Sequence, residues 1–171
     1  FTHIYQVPFT GLGLHGGYRG DTWLKNRILI FKEYVLQSLL NQTLPKIVWF
    51  TWREQEETNP IVQEFIGFLN TVAGIQHIHT FHGVPFWDDK YPITEANQRL
   101  KNTLLKSLPA FKDIVGERVL LTIQPSDDMY VGFGQEAIQR KFRELNWKPC
   151  AVGFKEGYIM NYRTKEIATY S

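Results

Sequence analysis

Apolar and polar residues alternate through HIYQVPF, His3 to Phe9, which predicts a strand, and the glycine-rich GLGLHGGYRGD after it predicts a long loop. Leu24, Arg27/Ile28, Phe31, Val35 and Leu39 then recur at helical spacing, so a helix is expected from about Trp23 to Asn41, capped by Asp21 or Thr22. KIVWFTW is apolar on both faces, as expected of a strand covered by helices on both sides. REQEETN reads as a solvated loop, and Pro60 suits the start of a helix whose stripe is Ile61, Phe65, Phe68/Leu69 and Val72, stopping near Gly74. IQHIHTFHG predicts a third strand, and Thr94 to Leu108 a third helix. Val119 to Ile123 predicts a buried strand, Gln135 to Leu145 another helix, and AVGFKEGYIMNYRTKEIATYS one or two hairpins.

Strands alternating with helices of this length imply βαβ units: an α/β fold with a mainly parallel sheet flanked by helices and an antiparallel hairpin at the C-terminus. With 171 residues and no repeat or linker, a single domain over 1–171 is expected. The net charge of +2, from 19 basic and 17 acidic residues, lacks the dense basic surface that polymeric nucleic acid requires. Cys150 is the sole cysteine, so no internal disulfide forms, and the expected location is cytoplasmic, free or peripheral to a membrane. No apolar run reaches the roughly 20 residues of a transmembrane helix.

Ligands of open α/β sheets bind beyond the carboxyl ends of the strands, which directs attention to 10–20, 51–57, 83–90 and 124–130. In the last of these, Asp127 and Asp128 follow a strand of buried character, where paired carboxylates could hold a divalent cation against a diphosphate. The same two residues could equally form a turn or cap the next helix.

Several segments in order resemble the GT-A glycosyltransferases, and within them rhamnosyltransferase-like sequences. They are WLKNRILIFKEYVLQSLLNQT, KIVWFTW, ITEANQRLKNTLLKSL, VLLTIQPSDDMY and GFKEGYIMNYRTKEIATY, which together span most of the chain. The first is similar to the family's helix after strand one, through Arg27, Phe31, Ser38, Leu39, Gln42 and Thr43. The family's metal motif, Asp-x-Asp-Asp, corresponds to Pro125-Ser126-Asp127-Asp128, in which proline stands where the first aspartate is expected. The resemblance implies a GT-A-like, Rossmann-like domain that binds a nucleoside-diphosphate sugar and transfers the sugar to a carbohydrate or other hydroxyl acceptor, with manganese or magnesium held by Asp127 and Asp128. It makes Asp128 the catalytic candidate, and Arg27, Glu54, Arg99, Ser126 and Asp127 donor-binding candidates; Asp88 joins them on its own residues, because the loop VPFWDDKYP sets an aromatic face beside carboxylates, which suits a base or sugar. Arg53 is a further candidate for phosphate. Ser171 follows Asp128 so closely that a shortened acceptor region is expected.

Two other readings compete. One is a GT-A-like module that binds nucleotide or sugar without catalysis. The other is a zinc-dependent hydrolase built on His77, His79 and His82, since histidines at alternate strand positions share a face. In that second family an aspartate precedes the last histidine, whereas Phe81 stands there in this chain. No nucleophile elbow, phosphate loop or dinucleotide fingerprint is present.

Overall fold

A computed structural model of the chain describes residues 1–10, 19–82, 92–112, 118–161 and 163–170. Four strands form one parallel sheet: β1 (Thr2–Pro8), β2 (Ile47–Thr51), β3 (Gln76–Thr80) and β4 (Val119–Ile123), in the order β3-β2-β1-β4. Parallel neighbours need crossover connections, and helices supply them. Between β1 and β2 lie α1 (Asp21–Ile30), a π-helical turn (Phe31–Val35) and α2 (Leu36–Leu40). Helix α3 (Pro60–Leu69) joins β2 to β3, α4 (Ile93–Ser107) precedes β4, and α5 (Gly134–Glu144) follows it. The hairpin of β5 (Gly157–Met160) and β6 (Ile167–Tyr170) is a separate antiparallel sheet.

The predicted elements are present, with informative differences in detail. Helix α1 is preceded by Gly20 at φ 94°, with no side-chain cap, and Asp21 is already in its first turn, where its charge suits the positive helix end. The expected single helix is interrupted by the π turn, yet its stripe holds: Leu24, Ile28, Phe31, Val35, Leu36 and Leu39 are all buried. Asn59 caps α3 by accepting the Ile61 N–H at 2.9 Å, with Pro60 at the first helical position.

One face of the sheet carries Tyr5, Val7, Phe9, Val48, Phe50 and Trp52, packed with α1, α2 and α3 into the main apolar core. Aromatic rings dominate it: Phe9 stacks on Trp52 at 4.8 Å, and Phe50 meets Phe65 edge to face at 5.7 Å. On the other face, Trp49 meets Phe111, in the 3-10 turn Leu108–Phe111 after α4, at 5.1 Å. All of β2 is consequently buried, as its unbroken apolar run predicts.

β4 departs from expectation. Leu120 is buried beneath α5's side of the sheet, but Val119, Leu121 and Ile123 are 52%, 38% and 49% exposed. The strand lies at the sheet edge, and the cover that shields β1 and β2 on that face does not extend over it. Cys150 is exposed. No described helix is long and apolar enough to cross a membrane.

Candidate functional site

The strand order reverses direction between β1 and β4, because the chain steps outward through β2 and β3 and then returns to the opposite side of β1. The helices that follow these two strands lie on one face of the sheet, α1 and α2 against Tyr5 and Val7 and α5 against His3, so the carboxyl ends of β1 and β4 meet beside both. Asp127 and Asp128 stand there, one turn beyond Ile123.

Pro125 to Asp128 forms a tight turn closed by the Asp128 N–H donating to the Pro125 carbonyl at 3.3 Å. The turn brings together carboxylates that an extended backbone would direct to opposite faces. Gln124, fully buried, braces it from inside: its amide nitrogen donates to the Pro125 carbonyl at 3.0 Å and to the Asp128 carbonyl at 2.5 Å. Ser126 turns inward and is buried, while Asp127 projects with half its side chain exposed.

Arg27, on α1, forms an ion pair with Asp127 and lies over the Trp23 ring at 5.5 Å. Desolvation raises the pKa of Asp128 above the ordinary carboxylate value; the neighbouring Asp127 charge adds to this and the Arg27 guanidinium opposes it. Tyr130 backs the pair, its ring edge-on to Tyr5 at 5.6 Å, and burial followed by the Asp128 charge pushes its pKa up to about 12.

The Ser-Leu-x-x-Gln-Thr ending of the first helical segment holds this turn in place. Ser38 Oγ accepts the Tyr130 N–H at 3.4 Å. Gln42 donates to the Val131 carbonyl at 3.0 Å and accepts the Gln135 N–H at 2.8 Å, and Thr43 donates to Glu136. An amphipathic stripe accounts for the leucines of that segment; docking of the carboxylate loop accounts for its polar residues. Sequence reasoning noticed Ser38, Gln42 and Thr43 but missed Gln124, Tyr130 and Gln135, whose burial no local pattern announces.

Other candidates are distributed differently. Glu54 is exposed in the 3-10 turn Glu54–Glu56, and the buried carboxylate of that loop is Glu56, at 2% exposure. Glu56 accepts from Thr10 Oγ1 at 2.7 Å, from the Arg53 N–H at 3.0 Å and from the Arg53 guanidinium at 2.6 Å. The Arg53 guanidinium, a candidate for phosphate, is paired with Glu56 in this structure. The Arg-x-x-Glu spacing was the available signal. Arg99 lies on α4, and its side chain is outside the described set; Asp88, with its aromatic loop, lies wholly outside the described residues.

The histidines form a structural chain. An indole nitrogen only donates, so the 3.1 Å contact from Trp52 Nε1 makes His79 Nδ1 an acceptor and places the neutral ring's proton on Nε2. That proton points to His77 Nδ1 at 3.0 Å. Burial, then the neighbouring His77, pushes the His79 pKa down to about 3. His82 instead meets Ser107 Oγ at 2.9 Å. Both inward lone pairs are thus occupied by hydrogen bonds, and among the described residues no group of three or more His, Cys, Asp or Glu side chains is arranged to hold a metal.

The fold and site define an α/β protein whose parallel sheet carries an arginine-braced carboxylate pair at its topological switch point. Compared with family models, curated proteins and solved structures, the chain matches none.

Proposed function

We propose that the chain binds a nucleoside-diphosphate sugar beyond the carboxyl ends of β1 and β4 and transfers the sugar to a hydroxyl acceptor, as GT-A glycosyltransferases do. The observation that carries this reading is the convergence of Asp127, Asp128 and Arg27 at the switch point.

The donor set has the chemistry the group requires. Two carboxylates together with substrate phosphates suffice for magnesium or manganese, both of which prefer oxygen ligands. The bound cation would neutralise charge on the departing diphosphate. Arg27 is planar and permanently charged, so it can exchange the Asp127 carboxylate for a phosphate oxygen of the donor. Asp128 orients the donor from the same turn, and the Ser38 and Gln42 contacts anchor that turn. Tyr130 and Tyr5 fill the space beneath and exclude water from the inner side.

The test is a thermal-shift and hydrolysis series with nucleoside diphosphates and nucleotide sugars, with and without manganese. The proposal expects a manganese-dependent rise in Tm and slow donor hydrolysis, both lost in Asp127→Asn and Asp128→Asn. Hydrolysis that persists in both variants would place the chemistry elsewhere.

One observation favours a binding module without catalysis: Arg27 already occupies Asp127. On that reading nucleotides raise the Tm without manganese, Arg27→Ala abolishes the effect, and no nucleotide sugar is hydrolysed or transferred.

A further inference from the structure

The edge of β4 that faces away from β1 is unpaired among the described residues, and the groove beside it lies at the Arg118 end of the strand, away from the carboxylate pair. Thr2 N–H donates to the Arg118 carbonyl at 2.8 Å, and Gln124 N–H donates to the Gln6 carbonyl at 2.8 Å. Residues of one parity therefore direct their backbone groups at β1. Successive residues of a strand alternate in this respect, so the N–H and C=O groups of Val119, Leu121 and Ile123 point to the open side, where no described strand pairs. Beside that edge runs a groove of about 410 Å3, lined by Arg118, Val119 and Leu121 on one side and by Phe142, Trp147 and Lys148 on the other.

The groove combines three properties. Its floor offers a row of backbone donors and acceptors, Val119, Leu121, Phe142 and Trp147 give it apolar surface, and among the described residues its charged rim is basic. Neither Arg118 nor Lys148 forms an ion pair with a described residue. A second copy of this chain fits less well, since its own β4 edge would bring the same two cations against these.

We propose that this edge is a β-augmentation site for an extended, alternately apolar segment of a partner protein bearing acidic residues beside Arg118 and Lys148. The partner's backbone continues the ladder beyond β4, one parity of its side chains covers Phe142 and Trp147, and the other extends the exposed row of Val119 and Leu121.

The probe is a synthetic eight-residue peptide of alternating valine and threonine with glutamate at both ends, compared with the same peptide ended in lysine. Expected are binding of the acidic peptide, protection of the Val119, Leu121 and Ile123 amides from hydrogen exchange, and affinity that falls with added salt. The lysine-ended peptide should bind about tenfold more weakly or not at all, and Arg118→Glu/Lys148→Glu should reverse the order. Leu121→Pro should abolish binding while leaving near-ultraviolet circular dichroism intact, because the N–H it removes faces the open side. Equal affinity for both peptides overturns the proposal. So does protection of the β4 amides in the free protein together with a dimer in sedimentation, which would assign the edge to a second copy.

Discussion

Arg27–Asp127 and Arg53–Glu56 are the same chemical pair placed in two settings. Glu56 is almost fully buried and has its oxygens saturated by a hydroxyl, a backbone N–H and a guanidinium. Asp127 is half exposed, its ion pair is with Arg27, and its neighbour Asp128 carries a raised pKa. A saturated pair closes a loop against the sheet. An unsaturated one retains lone pairs for a ligand, and its contribution to folding is correspondingly small.

The contrast is broken most directly at Glu56. Replacing it by Gln leaves the Arg53 guanidinium without its anion, and urea unfolding should show a loss of about 3 kcal/mol with nucleotide binding preserved in the folded fraction. Acid should act next, through His79. Its folded pKa is depressed, so the unfolded chain binds the extra proton; stability is complete above about pH 6.5 and falls as pH drops towards 3. In His79→Gln the fall between pH 6.5 and 4 should shrink by ~2 kcal/mol, read from urea midpoints.

Gln42→Ala should cost about 1.5 kcal/mol, because the Gln135 N–H and the Val131 carbonyl lose a partner. It should also weaken manganese-dependent nucleotide binding, since the turn that holds Asp127 is anchored there. The smallest effect on stability belongs to Asp127→Asn, within ~0.5 kcal/mol in the same urea assay, and this variant should abolish nucleotide binding. A large loss of stability at Asp127 would make its pair with Arg27 structural, like that at Glu56.

Periodicity made the order of elements legible, because the helical segment from α1 to α2 and helix α3 each bury one apolar stripe and β2 buries both faces. It misjudged β4, since an apolar run reads alike whether its neighbours cover it or not; Leu121 and Val48 look the same in sequence, yet Val48 is sealed and Leu121 is open. The carboxylate pair of the candidate site is adjacent in sequence and could be named from it, at Asp127 and Asp128. The packing that holds their turn was obscure, because it depends on partners 90 or so positions away, as with Gln42 and Gln135. Glu54 and Glu56 lie two apart in an acidic loop, and the spacing of Glu56 from Arg53, together with the packing of Thr10, distinguishes them.

The π turn at Phe31–Val35 gives the helical segment a register that its length alone does not set. A wide turn stores one residue more than an α turn over the same rise. The Leu36 N–H closes the turn on the Phe31 carbonyl, so loss of one residue from Phe31 to Leu36 would convert it to ordinary α-helix and leave Ser38 and Gln42 facing Tyr130 and Val131. Insertion of one residue there could not be absorbed in the same way and would rotate them by about 100° away from the carboxylate turn. The segment behaves as a vernier that aligns a distant loop.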